Sequence, residues 1–377
     1  MPIARIRVIQ TPEKITMKMS VLVLPGDGIG TEVTREAVRV LECVAARFGH
    51  ELVLTEGLLG GIAIHKTGAP MPPETERLAI EADATLLGAV GLPEFDDAPP
   101  QLRPEKGLLG IRKVLGVYAN LRPVRSFRSL LDSSPLKNER VDGVDMIIVR
   151  ELNGGLYYGM PRGVEGEGLE ERGTNTMTYT RAEVQRITRM AFGLARNRRK
   201  RVTSVDKSNV LETSQLWRKV VNEVAAEYPD VQCDHLLVDN AAMQLILNPK
   251  QFDVMLTENM FGDILSDEGS VLSGSIGMLP SASIGAQRPN GAFVGLYEPV
   301  HGSAPDIAGQ NKANPLGAIG SVAAMLEYSF QLVDEAAAVN RAIEAVLDSG
   351  NVTADLRPKG AAASTSDVGA AICAAIG

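Results

Sequence analysis

Val21-Leu-Val-Leu-Pro-Gly-Asp-Gly-Ile-Gly30 sets a short apolar run against a proline and glycine turn, and Val33 to Phe48 then carry apolar side chains at helical spacing. A buried strand, a tight turn and an amphipathic helix, in that order, open an α/β fold. The turn resembles a dinucleotide fingerprint, but its glycines stand as G-x-G-x-G rather than G-x-G-x-x-G. Nor does an acidic residue clearly end a second strand about twenty positions later. The sequence therefore predicts an α/β protein without a Rossmann site. Apolar runs at Thr85–Val90, Asp145–Val149, Arg201–Val205, His235–Val238 and Asp253–Leu256 read as strands, alternating with helical patterns such as Arg181–Arg196 and Ser214–Tyr228. Gly154 to Asn175, rich in glycine and charge, reads as a projecting loop or arm, and Gly360–Ser366 as a surface turn.

The 377 residues suffice for a sizeable core and two lobes. With 45% apolar and 22% charged residues the chain is globular, and no apolar run approaches the roughly 18 residues that cross a bilayer. A net charge of −8 argues against a nucleic-acid surface while leaving room for local basic clusters that capture small anions. Cys43, Cys233 and Cys373 are too few and too scattered for a disulfide framework or a zinc site, which suits a reducing compartment such as the cytoplasm. The first twenty residues are basic but lack an apolar core and cleavage pattern, so they read as an extension, or as a start better placed at Met17 or Met19, rather than a targeting signal.

Phe261-Gly-Asp-Ile-Leu-Ser-Asp267 reads as the start of a helix with Asp263 and Asp267 on one face. Two such carboxylates either hold a hard divalent ion or simply serve a helix N-terminus and a solvated face. Arg112, Arg122 and Arg150 sit at expected strand and loop ends, where guanidinium forks either pair structurally or together bind a di- or tricarboxylate. Lys207 follows an expected strand, and Tyr157 lies in the glycine-rich segment after Arg150. A lysine whose pKa is lowered by cations, and a nearby phenol, can exchange protons near neutral pH. The loop Glu298-Pro-Val-His-Gly-Ser-Ala-Pro-Asp-Ile-Ala-Gly309, ahead of a helix opened by Asn314-Pro315, exposes backbone N–H groups to anions or is an ordinary turn.

Together these motifs resemble the β-decarboxylating, or isocitrate/isopropylmalate, dehydrogenase family. GDGIG, GLLGIRK, NLRPV, REL before GGLYYG, DKSNVLE, VDNAAMQL, FGDILSD and EPVHGSAPDIAG stand in the family's order from about Val21 to the C-terminus. The resemblance implies a two-domain α/β fold, a mixed sheet flanked by helices and distinct from Rossmann. Residues 1–117 and 275–377 would form the cofactor-side domain, and 118–274 a second domain with the dimer interface and an arm at about 151–178. It implies a homodimer with shared active sites, in which Lys207 and Asp239 enter from the partner and Asp239, Asp263 and Asp267 hold Mg²⁺ or Mn²⁺.

It further implies Tyr157 and Lys207 as catalytic groups, and Arg112, Arg122, Arg150 and Asp239 as substrate ligands. Glu105, Leu108, Leu109 and Val210 would form the wall that meets the substrate's C3 substituent, where leucines suit the isopropyl group of 3-isopropylmalate better than the third carboxylate of isocitrate. Asn209, Glu298, His301, Gly302, Ser303, Ala304, Asp306, Ile307 and Asn314 would bind the dinucleotide, with Asp306 favouring NAD over NADP. Tartrate or D-malate, homoisocitrate and isocitrate are the alternative substrates, and a non-catalytic regulatory homologue the alternative of another class. Thr31, Asn153 and Ser208 depart from the family's proline, threonine and alanine; Thr31 still suits a helix start.

Overall fold

The computed structural model describes residues 16–377, so most of the N-terminal twenty, on which the expectation of an extension rests, lie outside the described residues. β1 (Lys18–Gly26) leads through the glycine turn into α1 (Gly30–Phe48), followed by β2 (Glu51–Glu56), α2 (Gly61–Thr67), α3 (Pro73–Glu81), β3 (Ala84–Ala89), α4 (Glu105–Leu115) and β4 (Ala119–Arg125). Then come α5 (Asn138–Val141), β5 (Asp145–Glu151), the small strands β6 (Gly163–Glu165) and β7 (Arg172–Thr174), α6 (Arg181–Arg196), β8 (Arg201–Asp206) and α7 (Glu212–Ala225). β9 (Gln232–Leu237), α8 (Val238–Leu247), β10 (Val254–Thr257), α9 (Asn259–Ser270), β11 (Pro280–Gln287), β12 (Phe293–Pro299), α10 (Leu316–Tyr328), α11 (Val333–Asp348) and α12 (Thr365–Ile376) complete the chain.

Ten strands form one sheet in the order β2-β1-β3-β12-β11-β4-β5-β10-β8-β9. The outer strands are parallel, whereas β12, β11, β4 and β5 pair antiparallel at the centre. Parallel strands covered on both faces read as continuous apolar runs, as in β3 and β10, where every residue is buried. The antiparallel centre and this strand order set the fold apart from a Rossmann sheet, as the glycine spacing predicts.

The expected strands and helices are present with shifted ends. β9 runs from Gln232 to Leu237 in place of His235–Val238, so that Val238 already opens α8, and α7 runs from Glu212 to Ala225 in place of Ser214–Tyr228. Within Gly154–Asn175, β6 and β7 pair as a short exposed hairpin. The expected surface turn at Gly360–Ser366 is partly helix, because Ser364 caps α12 in a reciprocal box with Asp367 and Thr365 is fully buried. Thr31 stands inside α1 rather than at its cap, its hydroxyl donating to the Gly28 carbonyl at 3.2 Å. Met19, one of the two alternative starts, is buried within β1.

On one sheet face a single apolar cluster joins Val21, Leu121, Val149 and Ala282 to α1, α6, α10 and α11. On the other face the core splits. One cluster gathers Leu22, Leu87, Ile111 and Leu296, and a second gathers Val124, Ile148, Phe261 and Leu265. Between them the four central strands present Glu298, Ser281, Ser283, Asn120, Arg122 and Arg150, all nearly inaccessible to solvent. Side chains two apart on a strand share a face, so Asn120 and Arg122 of β4 point into this polar band while Leu121 points into the opposite core.

Candidate active site

The polar band is roofed by α9 and α4. Glu258 caps α9, its carboxylate accepting from Phe261 N at 2.6 Å and Met260 N at 3.1 Å. Asp263 and Asp267 therefore lie in the helix interior and not in its first turn. The alternative reading of Asp263 as a partner of the helix N-terminus is excluded, because Glu258 holds that role. Gly262 is required for contact: a Cβ there would stand 2.3 Å from Thr257 Oγ1 and 2.7 Å from Arg150 Cβ. The helix thus sits directly on β5, which brings Asp263 onto Arg150.

Arg150 donates to Asp263 Oδ1 and, through Nε at 3.0 Å and Nη2 at 2.9 Å, to Asn259 Oδ1. Arg122 donates through Nε to Asn120 Oδ1 at 2.6 Å and through Nη1 to Ser266 Oγ, and stands 3.8 Å from Asp263 and 3.7 Å from Asp267. Burial first, then the neighbouring Arg150, brings the Arg122 pKa down to about 10. Burial likewise lowers that of Arg150, against the pull of Asp263. Arg112 was expected at a loop end. It lies instead in the last turn of α4, where a cation favours the helix C-terminus, and its Nη2 donates to Glu298 Oε1 at 2.7 Å. Its Nε is buried with no partner. Glu105, Leu108, Leu109 and Arg112 recur at three- and four-residue spacing along α4, so they line one helix face above the arginines.

Tyr157 Oη donates to Asp263 Oδ2 at 2.9 Å, and burial followed by the Asp263 charge pushes the phenol up to about 12. Lys207 and Asp239 meet each other, Nζ to Oδ1 at 2.6 Å, and this hydrogen bond holds the Asp239 carboxyl below its ordinary value. Among the described residues no group of three or more His, Cys, Asp or Glu is close enough to hold a metal ion. Asp239 is therefore not brought beside Asp263 and Asp267 within one chain. Asn209 and Val210, in the turn after β8, are exposed.

Two carboxylates a helical turn apart, the Asp267 carboxylate oxygens accepting no hydrogen bond among the described residues, are a fitting pair of oxygen donors for a hard divalent ion. Burial raises the proton affinity of Asp267 and Arg122 opposes it, so the group favours a positive neighbour.

The 298–314 loop meets the opening glycine turn. Gly28, at φ 54, lies so close that a Cβ would stand 2.1 Å from the Ser303 carbonyl, which itself accepts from Ile29 N at 2.8 Å. His301 is buried; Nδ1 donates to the Gly302 carbonyl at 2.9 Å, leaving Nε2 an acceptor with no partner. Among the described residues the N–H groups of Gly302, Ser303, Ala304 and Asp306 donate to no backbone carbonyl. Asp306 is exposed and Ile307 packs against the main core. Asn314 is buried, its Oδ1 accepting from Leu316 N at 3.0 Å at the start of α10. Free donors, an orphaned imidazole acceptor and an exposed carboxylate suit an adenosine and its phosphates.

The supporting residues were not singled out from the sequence. Asp27, in the glycine turn, accepts from the backbone N–H groups of Gly61 and Ile62 at 2.8 Å and Gly91 at 2.9 Å. Asn120, Asn259 and Ser266 fix the arginines, and Asp206 binds Arg218 at 2.8 and 2.9 Å beside Lys207. The only sequence signal for them is a short polar side chain inside an apolar run or next to a motif residue. A cavity of about 840 Å³ between α6 and α10 lies on the opposite sheet face and contains none of the candidate residues.

The fold and this site define an α/β protein that is not of the Rossmann type, with an arginine-lined polar band beneath α9. The family model described as isocitrate/isopropylmalate dehydrogenase matches residues 20–372, and the chain belongs to that family. It is 62% identical over 340 residues to the 3-isopropylmalate dehydrogenase of Geobacillus kaustophilus, covering 90% of each chain. With that of Thermotoga maritima it shares 56% over 358 residues, 94% of this chain and 98% of the relative. Among solved structures it is similar to the isocitrate dehydrogenase of Methylococcus capsulatus, with TM-score 0.83 and 33% identity over 96% of this chain and 99% of the other. A β-decarboxylating dehydrogenase from Thermococcus kodakarensis gives TM-score 0.76 and 35% identity over 96% of both chains.

Proposed function

We propose that the chain is an NAD-dependent 3-isopropylmalate dehydrogenase, oxidising its substrate at C2 and decarboxylating it to 4-methyl-2-oxopentanoate for leucine biosynthesis in the cytoplasm. The observation that carries this reading is the convergence of Arg112, Arg122 and Arg150, with Leu108 and Leu109 on the same face of α4 as Arg112. The guanidinium groups would take the malate carboxylates while the leucines cover an apolar C3 substituent. Burying a third carboxylate against Leu108 and Leu109 would be costly, which disfavours isocitrate.

Asp263 and Asp267, with Asp239 of the partner subunit, would hold Mg²⁺ or Mn²⁺. Glu298, His301, Gly302, Ser303, Ala304, Asp306, Ile307 and Asn314, with Asn209, would hold NAD. When bound, these groups supply Lewis acidity toward charge developing on the C2 oxygen and a hydride acceptor. Lys207, as the neutral amine once released from Asp239, would take the hydroxyl proton, and the arginines would orient the departing carboxylate. Tyr157, kept protonated by its surroundings, delivers a proton to C3 after carbon dioxide leaves.

The same reading assigns 1–117 with 275–377, and 118–274, to two domains. This agrees with the sheet order, which places β1, β2, β3, β11 and β12 on one side and β4, β5, β8, β9 and β10 on the other. It also assigns a homodimer. The exposed apolar side chains Val210, Met243, Leu247 and Ile264, together with Val164 and Leu169 of the arm, suit a second subunit. The test is NADH formation from 3-isopropylmalate, NAD⁺ and Mg²⁺, with and without chelator, beside D-malate and isocitrate. A larger kcat/KM on either of the latter, or turnover untouched by chelator, overturns it.

A further inference from the structure

We infer that Glu32 is a positioning residue that sets the 301–314 loop for nucleotide binding, acting through Asn311. The inference rests on reading that loop as the dinucleotide site. Glu32 lies in the first turn of α1 and is 6% exposed. Its Oε1 accepts from Asn311 N at 2.8 Å, while Oε2 is buried and has no partner among the described residues. Asn311 stands at φ 56, a left-handed conformation that asparagine tolerates better than most residues other than glycine. Four hydrogen bonds hold it there. Besides the bond to Glu32, its carbonyl accepts from Thr365 N at 3.0 Å, its Oδ1 accepts from Ser366 N at 3.0 Å, and its Nδ2 donates to Ser366 Oγ at 2.9 Å. Two residues on, the Ala313 carbonyl accepts from Thr365 Oγ1 at 2.7 Å.

Asn311 is thus a clasp between two helix N-termini: α1, which begins at the glycine turn, and α12, which is remote in sequence. The loop reaches from Ser303, fixed to Ile29, to Asn311, fixed to Glu32, so both ends of its free-donor stretch are tied to the first turns of α1. The segment between them carries the open N–H groups of Ala304 and Asp306 together with the Asp306 carboxylate. Removing the Glu32 carboxylate leaves Asn311 held from the α12 side only. The open donors then lose their common orientation before any ligand arrives, and ordering them again weakens nucleotide binding.

The test compares Glu32→Ala and Glu32→Gln in the full-length protein by calorimetric titration of NAD⁺, with amide exchange of residues 302–314 in the free protein as a second readout. A carboxylate accepting from an N–H contributes enough that Glu32→Ala should weaken NAD⁺ binding roughly tenfold and speed loop exchange. Glu32→Gln, which keeps the acceptor, should stay within about threefold. The KM for 3-isopropylmalate at saturating NAD⁺ should change by less than about twofold in both. Should Glu32→Ala fail to fold, Ser366→Ala, which removes one clasp bond, should move NAD⁺ affinity and loop exchange in the same direction by a smaller factor. Wild-type NAD⁺ affinity and loop exchange in the variants, or equal losses for both ligands, overturns the assignment. A wild-type protein that binds no NAD⁺ overturns the underlying functional reading, and the assignment with it.

Discussion

Tyr157 Oη donates to Asp263 Oδ2 at 2.9 Å across 106 residues of sequence, linking the arm's first turn to the middle of α9. The bond keeps a proton on the phenol, since losing it would set two negative oxygens together in a partly buried place. Tyr157→Phe should therefore lower kcat by roughly a hundredfold or more, the usual worth of a positioned acid, and leave KM within a few fold. Steady-state kinetics on 3-isopropylmalate decides it; an unchanged kcat would remove Tyr157 from the chemistry.

Asp263→Asn preserves size and a hydrogen-bonding group beside Arg150 while deleting a charge. Turnover should fall at least about a hundredfold, and calorimetry should show weaker Mg²⁺ binding. The asparagine is preferred to alanine because Arg150 and Arg122 are buried, and removing their partner altogether would destabilise the protein as well.

Subunit sharing can be read from hybrids. In the proposed homodimer, Lys207→Ala and Asp263→Asn should each abolish turnover on their own. Where Lys207 acts across the interface, a mixed dimer gathers both lesions at one site and leaves the other intact. Equal refolded mixtures should recover about a quarter of wild-type activity, because about half of the dimers are mixed and each has one working site. No recovery in verified mixed dimers would place Lys207 and Asp263 in the same subunit's site.

His301 carries a pH signature. Burial holds its pKa below the ordinary imidazole value, opposed by the Gly302 carbonyl and Asp355. The unfolded chain then takes up a proton at about pH 6.5 while the folded chain resists it. Stability is complete above that value and falls as pH drops through it towards the lower folded pKa. Thermal melts from pH 7 to 5 should show a steeper loss in wild type than in His301→Gln; parallel curves would contradict this.

Phe192 is fully buried in the main apolar cluster and packs 5.2 Å from the Tyr228 ring. Phe192→Ala should cost ~3–5 kcal/mol in denaturant unfolding, with KM for both substrates unchanged while the protein stays folded.

The α/β class was legible because parallel strands buried on both faces leave apolar runs such as Thr85–Val90, and because the helical pattern at Arg181–Arg196 coincides with α6 from end to end. The candidate residues were legible as motifs, but their partners were not. Arg112 meets Glu298 across 186 residues and Arg122 meets Ser266 across 144, pairings that only the sheet order creates. Asn311 was invisible for another reason. Its importance lies in a backbone angle and in bonds to α12, neither of which leaves a trace in local composition. The helix-start reading of Asp263 failed because a glutamate two residues before Met260 already supplied the cap, a role more often taken by Ser, Thr, Asp or Asn.

The alternation along β4 makes residue count itself a chemical variable. One residue gained or lost just before Asn120 would turn the Arg122 guanidinium through the sheet into oily surroundings and bring an aliphatic group to face Asp263. A chain that needs this cleft can exchange side chains at its wall with modest consequences, but it cannot change the length of the segment from Val117 to Arg125 without forfeiting the charge it places there.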